Sequence, residues 1–243
     1  MTNSDEYKTP EIYDAEYGSY TDDFNVFCDL NNQGLALDLG CGTGRLTLAL
    51  AKSGLTCIGM DISKPMLERA RLKSTNLPIS YILEDMRSFQ LDDQFDPITL
   101  AGNGFQGLLT DADQDQLFTN VHSHLKKDGI FAFNTRNPTP DELQTINDFK
   151  FWHIFKDPEG NNVQVSGKQT YNPQKCTVSY TTKRIWSTHE THTDIEIRFT
   201  PAANLLKKLD TFGFDILNVY GDFQKAPFTN ESQSIILICK RKS

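Results

Sequence analysis

The stretch Leu35-Ala36-Leu37-Asp38-Leu39-Gly40-Cys41-Gly42-Thr43-Gly44-Arg45 decides how this chain folds. Its apolar half, interrupted only by Asp38, reads as a strand covered on both faces, as in a parallel sheet. Gly40, Gly42 and Gly44 follow at alternate positions, where a backbone without Cβ atoms turns sharply and stays open to a ligand. From Arg45 to Ala51 the residues open a helix whose first N–H groups have no partner within the helix and point back at the loop. Strand, glycine loop and helix together make a small-molecule cradle.

Downstream the same rhythm repeats. Residues 55–60 form a second buried strand ending in Asp61, and Ser63-Lys64-Pro65 starts a helix that runs to about Lys73, with Ser63 as cap and Pro65 in its first turn. Residues 78–83 make a third strand. A fourth covers residues 95–101, with Pro97 at its start, and a fifth covers 130–134; between them Leu117, Val121 and Leu125 mark a helix over 111–125. The grammar changes at about residue 138. Segments 150–156, 161–171, 175–187 and 190–199 are rich in β-branched and aromatic residues and alternate as antiparallel strands do. A helix over 201–211 and strands over 214–220 and 233–240 then restore the first pattern. The expectation is an α/β chain with a mainly parallel, doubly wound seven-stranded sheet and an antiparallel sheet inserted after the fifth strand.

Upstream, Tyr7, Tyr13, Tyr17 and Tyr20 stand among acidic side chains and predict a lid helix on the body, serving either packing alone or also a pocket. Thr21-Asp22-Asp23 predicts a second helix through Phe24, Phe27 and Leu30, ending near residues 31–34.

The 243 residues suffice for one large domain with an embellishment, and 24 basic against 32 acidic residues leave a net charge of −8, which disfavours nucleic acid as a partner. No apolar run is long enough for a membrane span and the N-terminus does not read as a signal peptide, so a soluble cytoplasmic protein is expected. Five scattered cysteines without a CxxC pair fit reduced thiols and no metal site, with Cys41 filling the tight loop.

In an open parallel sheet ligands bind at the carboxyl ends of the strands, where strand order reverses. Asp61, 17 positions after Gly44, is placed there to accept hydrogen bonds from a vicinal ribose diol. The spacing Gly40-x-Gly42-x-Gly44 departs from the G-x-G-x-x-G of dinucleotide sites, and Asp38 would suit an ammonium group better than a pyrophosphate. The implied ligand has an adenosine end and a cationic amino-acid end.

At this point the sequence resembles the class I S-adenosylmethionine-dependent methyltransferases, and among them a bacterial small-molecule branch that includes glycine N-methyltransferases and deoxysugar N,N-dimethyltransferases. The resemblance rests on Asp38 to Gly44, with support from Tyr13-Asp14-Ala-Glu-Tyr17, Gly59-Met-Asp61-Ile-Ser-Lys-Pro-Met66-Leu, Glu84-Asp85-Met86-Arg87 and Tyr220-Gly-Asp222-Phe-Gln-Lys-Ala-Pro227-Phe. It implies a Rossmann-like cofactor-binding domain over 34–137 and 200–243, an N-terminal lid and helix over 1–33, and an inserted sheet over 138–199 that covers the acceptor. Gly40, Gly42 and Gly44 would wrap the methionine part of S-adenosylmethionine, or of the product S-adenosylhomocysteine. Asp61 would hold the ribose, Ile62 would pack on the adenine, and Asp85 would accept from its amino group beside the Met86 backbone. Tyr13 would contact the methionyl carboxylate, and Asn103 would face the transferring methyl.

The acceptor is expected to be a small soluble molecule methylated at N or O. Where related enzymes often carry a histidine, four residues after Asn103, this chain has Gly107. His122 and His124 read as surface residues, and His189 and His192 as flanking a hairpin turn. Arg136 and Asn137 are placed to line an acceptor pocket, with Arg136 able to bind a carboxylate or phosphate, and Trp152, Tyr171 and Trp186 are candidates to roof it. Two other readings stay open: a regulatory protein that binds S-adenosylmethionine without catalysis, motivated by Gly107, and, less favoured by the glycine spacing, a nicotinamide-dependent oxidoreductase.

Overall fold

The computed structural model describes residues 5–30 and 34–242, and the expected end of the second helix near 31–33 lies outside these. A 3-10 turn over Asp5–Lys8 leads into α1 (Pro10–Tyr17) and a single-turn α2 (Phe24–Phe27). The helix expected from Thr21 to about Leu30 is thus only four residues long. Asp23, which would have capped it, instead gives both carboxylate oxygens to Arg45, at 2.7 and 2.5 Å.

The body begins with β1 (Leu35–Leu39), α3 (Arg45–Lys52), β2 (Thr56–Asp61), α4 (Lys64–Lys73) and β3 (Ile79–Leu83). It continues through β4 (Ile98–Leu100), α5 (Asp111–His124) and β5 (Ile130–Arg136). Pro97 stays just outside β4, where its carbonyl accepts the Leu37 N–H and its missing donor costs nothing. Four antiparallel strands follow, β6 (Ile146–Lys156), β7 (Asn162–Asn172), β8 (Thr177–Ile185) and β9 (Glu190–Arg198). Finally α6 (Ala202–Thr211), β10 (Phe214–Tyr220) and β11 (Ser234–Arg241) rejoin the first sheet.

The large sheet has the order β10-β11-β5-β4-β1-β2-β3. Strands β1 to β5 pair in parallel, while β11 runs antiparallel to both β5 and β10. Strand order reverses between β1 and β4, so their carboxyl ends frame the crevice where this fold class seats its ligands.

Alternation along β5 shows how the sheet is covered. Phe131 and Phe133 enter the core beneath α5 and α6, where Phe118 sits within 5.7–6.4 Å of the rings of Phe105, Phe131, Phe133, Phe212 and Phe214. Ala132 faces the opposite core, with Val26, Phe27, Leu46, Leu50 and Ile236. Each sheet face thereby removes a continuous apolar surface from water, the main stabilising term for such a layer.

One histidine expectation changes here. His124 is buried rather than on the surface, because the last turn of α5 packs against the loop before β4: Nε2 accepts the Leu91 N–H at 3.1 Å and Nδ1 lies 2.8 Å from the Asn120 carbonyl. That pair of contacts requires the tautomer with the proton on Nδ1. His122 packs edge-on against Phe214. His189 stacks on Trp186 at the β8–β9 turn, and His192 lies beside Glu190 and Phe149.

Candidate active site

All three loop glycines have left-handed backbones, with φ of 59°, 55° and 81° at Gly40, Gly42 and Gly44. They differ in what surrounds them. A Cβ on Gly44 would lie 2.6 Å from the Tyr81 hydroxyl and 3.2 Å from Ala70, so that glycine is also required by packing. A Cβ on Gly42 would meet nothing within 4 Å, so the loop is open on that side. Cys41 turns inward, and burial pushes its thiol well above the ordinary range, which leaves a packing group and no nucleophile.

Asp61 ends β2 beside the open loop. One carboxylate oxygen accepts the Gly42 N–H and the other the Ser63 N–H, both at 2.8 Å. Burial raises its pKa, and the hydrogen bonds from Ser63, Gly42 and Ile62 offset this only in part. Each oxygen keeps acceptor capacity beyond its backbone partner, so a diol approaching Gly42 would meet a carboxylate already oriented. Ser63 occupies the cap position of α4, yet its hydroxyl lies 3.4 Å from the Tyr7 carbonyl of the lid and makes no cap bond. Ile62 follows directly and is half-buried. The Met86 methyl approaches within 3.5 Å of a Cβ built on Gly40.

Two acidic residues depart from expectation. Asp38 does not face the open side of the loop; it is buried and accepts from Thr47 Oγ1 at 2.6 Å and Thr99 Oγ1 at 3.0 Å, linking β1, β4 and α3. Strand alternation aims it there, and burial pushes its pKa up to about 6. Asp85 gives both oxygens to Arg87, which also reaches Asp113 at 2.6 Å, and these hydrogen bonds hold Asp85 below the usual carboxylate range. An arginine two residues along the chain captures this carboxylate in a local turn, leaving Met86, rather than Asp85, against the loop.

The lid is fastened on both sides. Toward the loop and α4, Asp14 accepts from Thr43 Oγ1 at 2.5 Å, Arg69 Nε at 2.8 Å and Lys73 Nζ at 2.8 Å. Burial raises its pKa, but the bonds from Lys73, Thr43 and Arg69 win and hold it low. Toward the inserted sheet, Arg184 on β8 reaches Glu16 at 2.6 Å and Glu6 at 2.7 Å, with the Glu16 side chain fully buried. His153 on β6 adds a 3.0 Å contact to Glu16. Tyr13 lies between, its ring 5.9 Å from Tyr7 and 5.0 Å from Tyr17, with burial pushing its hydroxyl up to about 12. The sequence singled out Tyr13 and gave no role to Glu16 on α1 or to Arg184, whose only signal was an inward position in the alternating strand β8.

Beyond β4, Asn103 adopts a left-handed conformation, with φ of 60°, and its Oδ1 accepts from Asn134 Nδ2 at 2.7 Å. The pair ties the carboxyl ends of β4 and β5 together. Two residues on, Arg136 ion-pairs with Glu142, and its guanidinium lies 5.4 Å from the Phe199 ring centre. Arg136, Thr139, Glu142, Gln233 and Ser234 line a cavity of about 420 Å³. Asn137 does not join them: its amide donates to the carbonyls of Asn230 and Ser232, at 3.1 and 2.7 Å, because it closes the loop before β11.

Of the candidate roof aromatics, Trp152 lies across Gly167, 6.1 Å from Tyr180, on the sheet face that carries Arg184 and Val165. It is 41 % exposed there. Tyr171 shares this face by its register, whereas Trp186 packs against Phe155, Val163 and Val165 and donates to Asp157 at 3.0 Å.

Residues 36–129 match the model of a methyltransferase domain. A protein of Geobacillus sp. (strain WCH70), bearing the name of methyltransferase without a stated substrate, is 24% identical over 216 residues, covering 84% of this chain and 83% of its own. Among solved structures, the CcbJ methyltransferase from Streptomyces caelestis superposes with a TM-score of 0.84 at 20% identity over 97% of this chain and 98% of its own. CalS10 with bound S-adenosylmethionine, an amino pentose methyltransferase from Micromonospora echinaspora, does so with a TM-score of 0.72 at 17% identity, over 95% and 97%.

Proposed function

We propose that this chain is an S-adenosylmethionine-dependent methyltransferase, as its methyltransferase domain match and relatives support, and that its acceptor is a small molecule methylated on nitrogen or oxygen in the space between Asn103, Arg136 and the inserted sheet. The observation that carries this reading is the open face of Gly42 beside the prearranged Asp61 carboxylate. These residues fit S-adenosylmethionine: Asp61 would hold the ribose diol, Gly40, Gly42 and Gly44 the methionyl chain, Ile62 and Met86 the adenine faces, and Tyr13 the carboxylate end. When bound, it supplies an electrophilic methyl on a sulfonium.

The chain's own task is then alignment rather than covalent chemistry, since in-line displacement needs donor and acceptor held about 3 Å apart. Asn103, locked by Asn134, would position the acceptor. The lid, fastened by Asp14 and Glu16, would exclude water. The segment Gly104–Gly107 carries no titratable side chain, which favours an acceptor that arrives as a neutral amine over a hydroxyl that needs a base there. The amino pentose substrate named for CalS10 is of this chemical kind.

Calorimetry with S-adenosylmethionine, S-adenosylhomocysteine and NAD, followed by labelled-methyl transfer to a panel of amines and alcohols, tests the proposal. Binding of both sulfur compounds and transfer to amines are expected. Binding of NAD alone, or transfer only to macromolecules, would refute it.

A further inference from the structure

The inserted sheet has the order β6-β7-β8-β9, so each of its two outer strands presents one backbone edge that the sheet itself does not pair. The two edges differ in charge. β9 carries Glu190, Asp194 and Glu196 at exposed positions, and a row of like charges repels a second strand of its own kind. β6 carries exposed apolar side chains instead: Phe151 is 60% exposed and Ile154 57%, with exposed Trp152 between them. These are three of the seven large hydrophobic side chains exposed among the described residues, and they fall within four consecutive positions. Such a cluster on an edge strand marks a contact surface, where singly scattered apolar residues would not.

Charge decides what the edge fits. Asp148 and Lys156 are exposed near the two ends of β6, and neither has an ion-pair partner among the described residues. They stand four residues before and four residues after Trp152. Two β6 strands paired antiparallel about a two-fold axis at Trp152 therefore set Asp148 of each copy opposite Lys156 of the other, twice over. Moving the axis one residue toward the C-terminus would set Lys150 against Lys156, and moving it one residue the other way would set both charges against Ile154 and Ile146. Opposite charges directly across a strand pair stabilise it and like charges destabilise it, so the pattern selects the axis at Trp152. β6 is also bent, with register shifts against β7 between Ile146 and Lys150 and between Phe151 and His153. That bend turns away an unrelated flat strand, whereas a second copy brings the same bend about the same residue. We propose that β6 is the edge through which two copies of this chain associate, their inserted sheets joining into one of eight strands. The paired segment includes His153, whose ring lies 3.0 Å from Glu16 of the lid, so association steadies α1 in both copies. Association of this kind is independent of which ligand the glycine loop holds.

Sedimentation velocity on the full chain over a range of concentrations reads the association, with far-UV circular dichroism as the check on folding. The wild-type chain should dimerise, and less tightly in about 0.5 M than in about 0.1 M salt. Asp148→Lys and Lys156→Asp each set like charges opposite one another twice and should weaken the dimer roughly 10–30-fold. The double variant carrying both changes restores the pairs in reverse and should return to within about threefold of the wild type. Glu196→Lys, on β9, should leave the dimer unchanged. A chain that stays monomeric up to about 100 μM, single variants that dimerise as tightly as the wild type, a double variant no tighter than the singles, or a dimer altered by Glu196→Lys would overturn the inference.

Discussion

Arg184→Met is the most informative perturbation of the lid. The guanidinium is 5% exposed and faces Glu16, 0% exposed, at 2.6 Å and Glu6, 14% exposed, at 2.7 Å, with a third bond to Thr193 Oγ1 at 3.0 Å. Methionine fills a similar volume but takes the guanidinium from Glu16, whose contacts to His153, at 3.0 Å, and to the Tyr17 hydroxyl remain. Removing one partner of a buried charge pair costs about 3–5 kcal/mol, because the remaining charge has lost its solvent and its counterion together. Asp14 keeps its separate bonds to Thr43, Arg69 and Lys73, so the loss should fall on docking of α1 against the inserted sheet rather than on the large sheet. At about 1.4 kcal/mol per tenfold, amide exchange within residues 10–17 should accelerate roughly 100- to 4,000-fold, up to the ceiling set by global unfolding. Hydrogen exchange read by mass spectrometry measures this directly, and S-adenosylhomocysteine should bind more weakly to the loosened lid. Arg184→Lys, which restores charge without the planar fork, should recover part of the protection. Exchange in α1 that stays within about threefold of the wild type in folded Arg184→Met would refute the claim that this network docks the lid.

Other perturbations test the remaining groups. Burial pushes Asp38 up to about 6 from the ordinary aspartate value of 3.8, so the folded state binds its proton more tightly; the resulting stability is full below about pH 4, is lost as pH rises through 6 and amounts to about 3 kcal/mol. Asp38→Asn should remove that component, which the difference between wild-type and variant melting curves from pH 4 to 7 will show; parallel curves would contradict it. Asp61→Ala should weaken S-adenosylhomocysteine binding by about 1.5–3 kcal/mol in calorimetry, and unchanged affinity would dismiss the ribose assignment. His124→Ala leaves the partly buried Leu91 N–H unpaired and should cost about 1–3 kcal/mol in urea unfolding, whereas a true surface histidine would cost under about 0.5.

Much of this architecture was legible along the chain because its signals are local. The seven strands of the large sheet and the switch to antiparallel pairing after Arg136 follow from runs of apolar residues and from their period. Helix α2 starts directly after Asp23, but that carboxylate is taken by Arg45 and makes no cap bond, and sequence does not mark such a tertiary partner. His124 was misplaced for a similar reason. Its spacing on α5 says which way it points, but not that a loop some thirty residues earlier lies there to donate an N–H.

The glycine loop and Asp61 were decided by sequence alone. Left-handed backbone at three alternate positions requires glycine, and a carboxylate at the end of the next strand arrives beside the loop in any parallel pairing of β1 with β2. Tertiary structure decided what every other charge does. Asp38 and Asp85 have the right type and place for ligands, yet one is buried against two threonines and the other is taken by Arg87. Glu16 finds Arg184 across 168 residues, and Arg136 finds Glu142 over a cavity that no motif marks. A carboxylate's role depends on which donors reach it and how much water remains, and both are properties of the packed chain rather than of its local order.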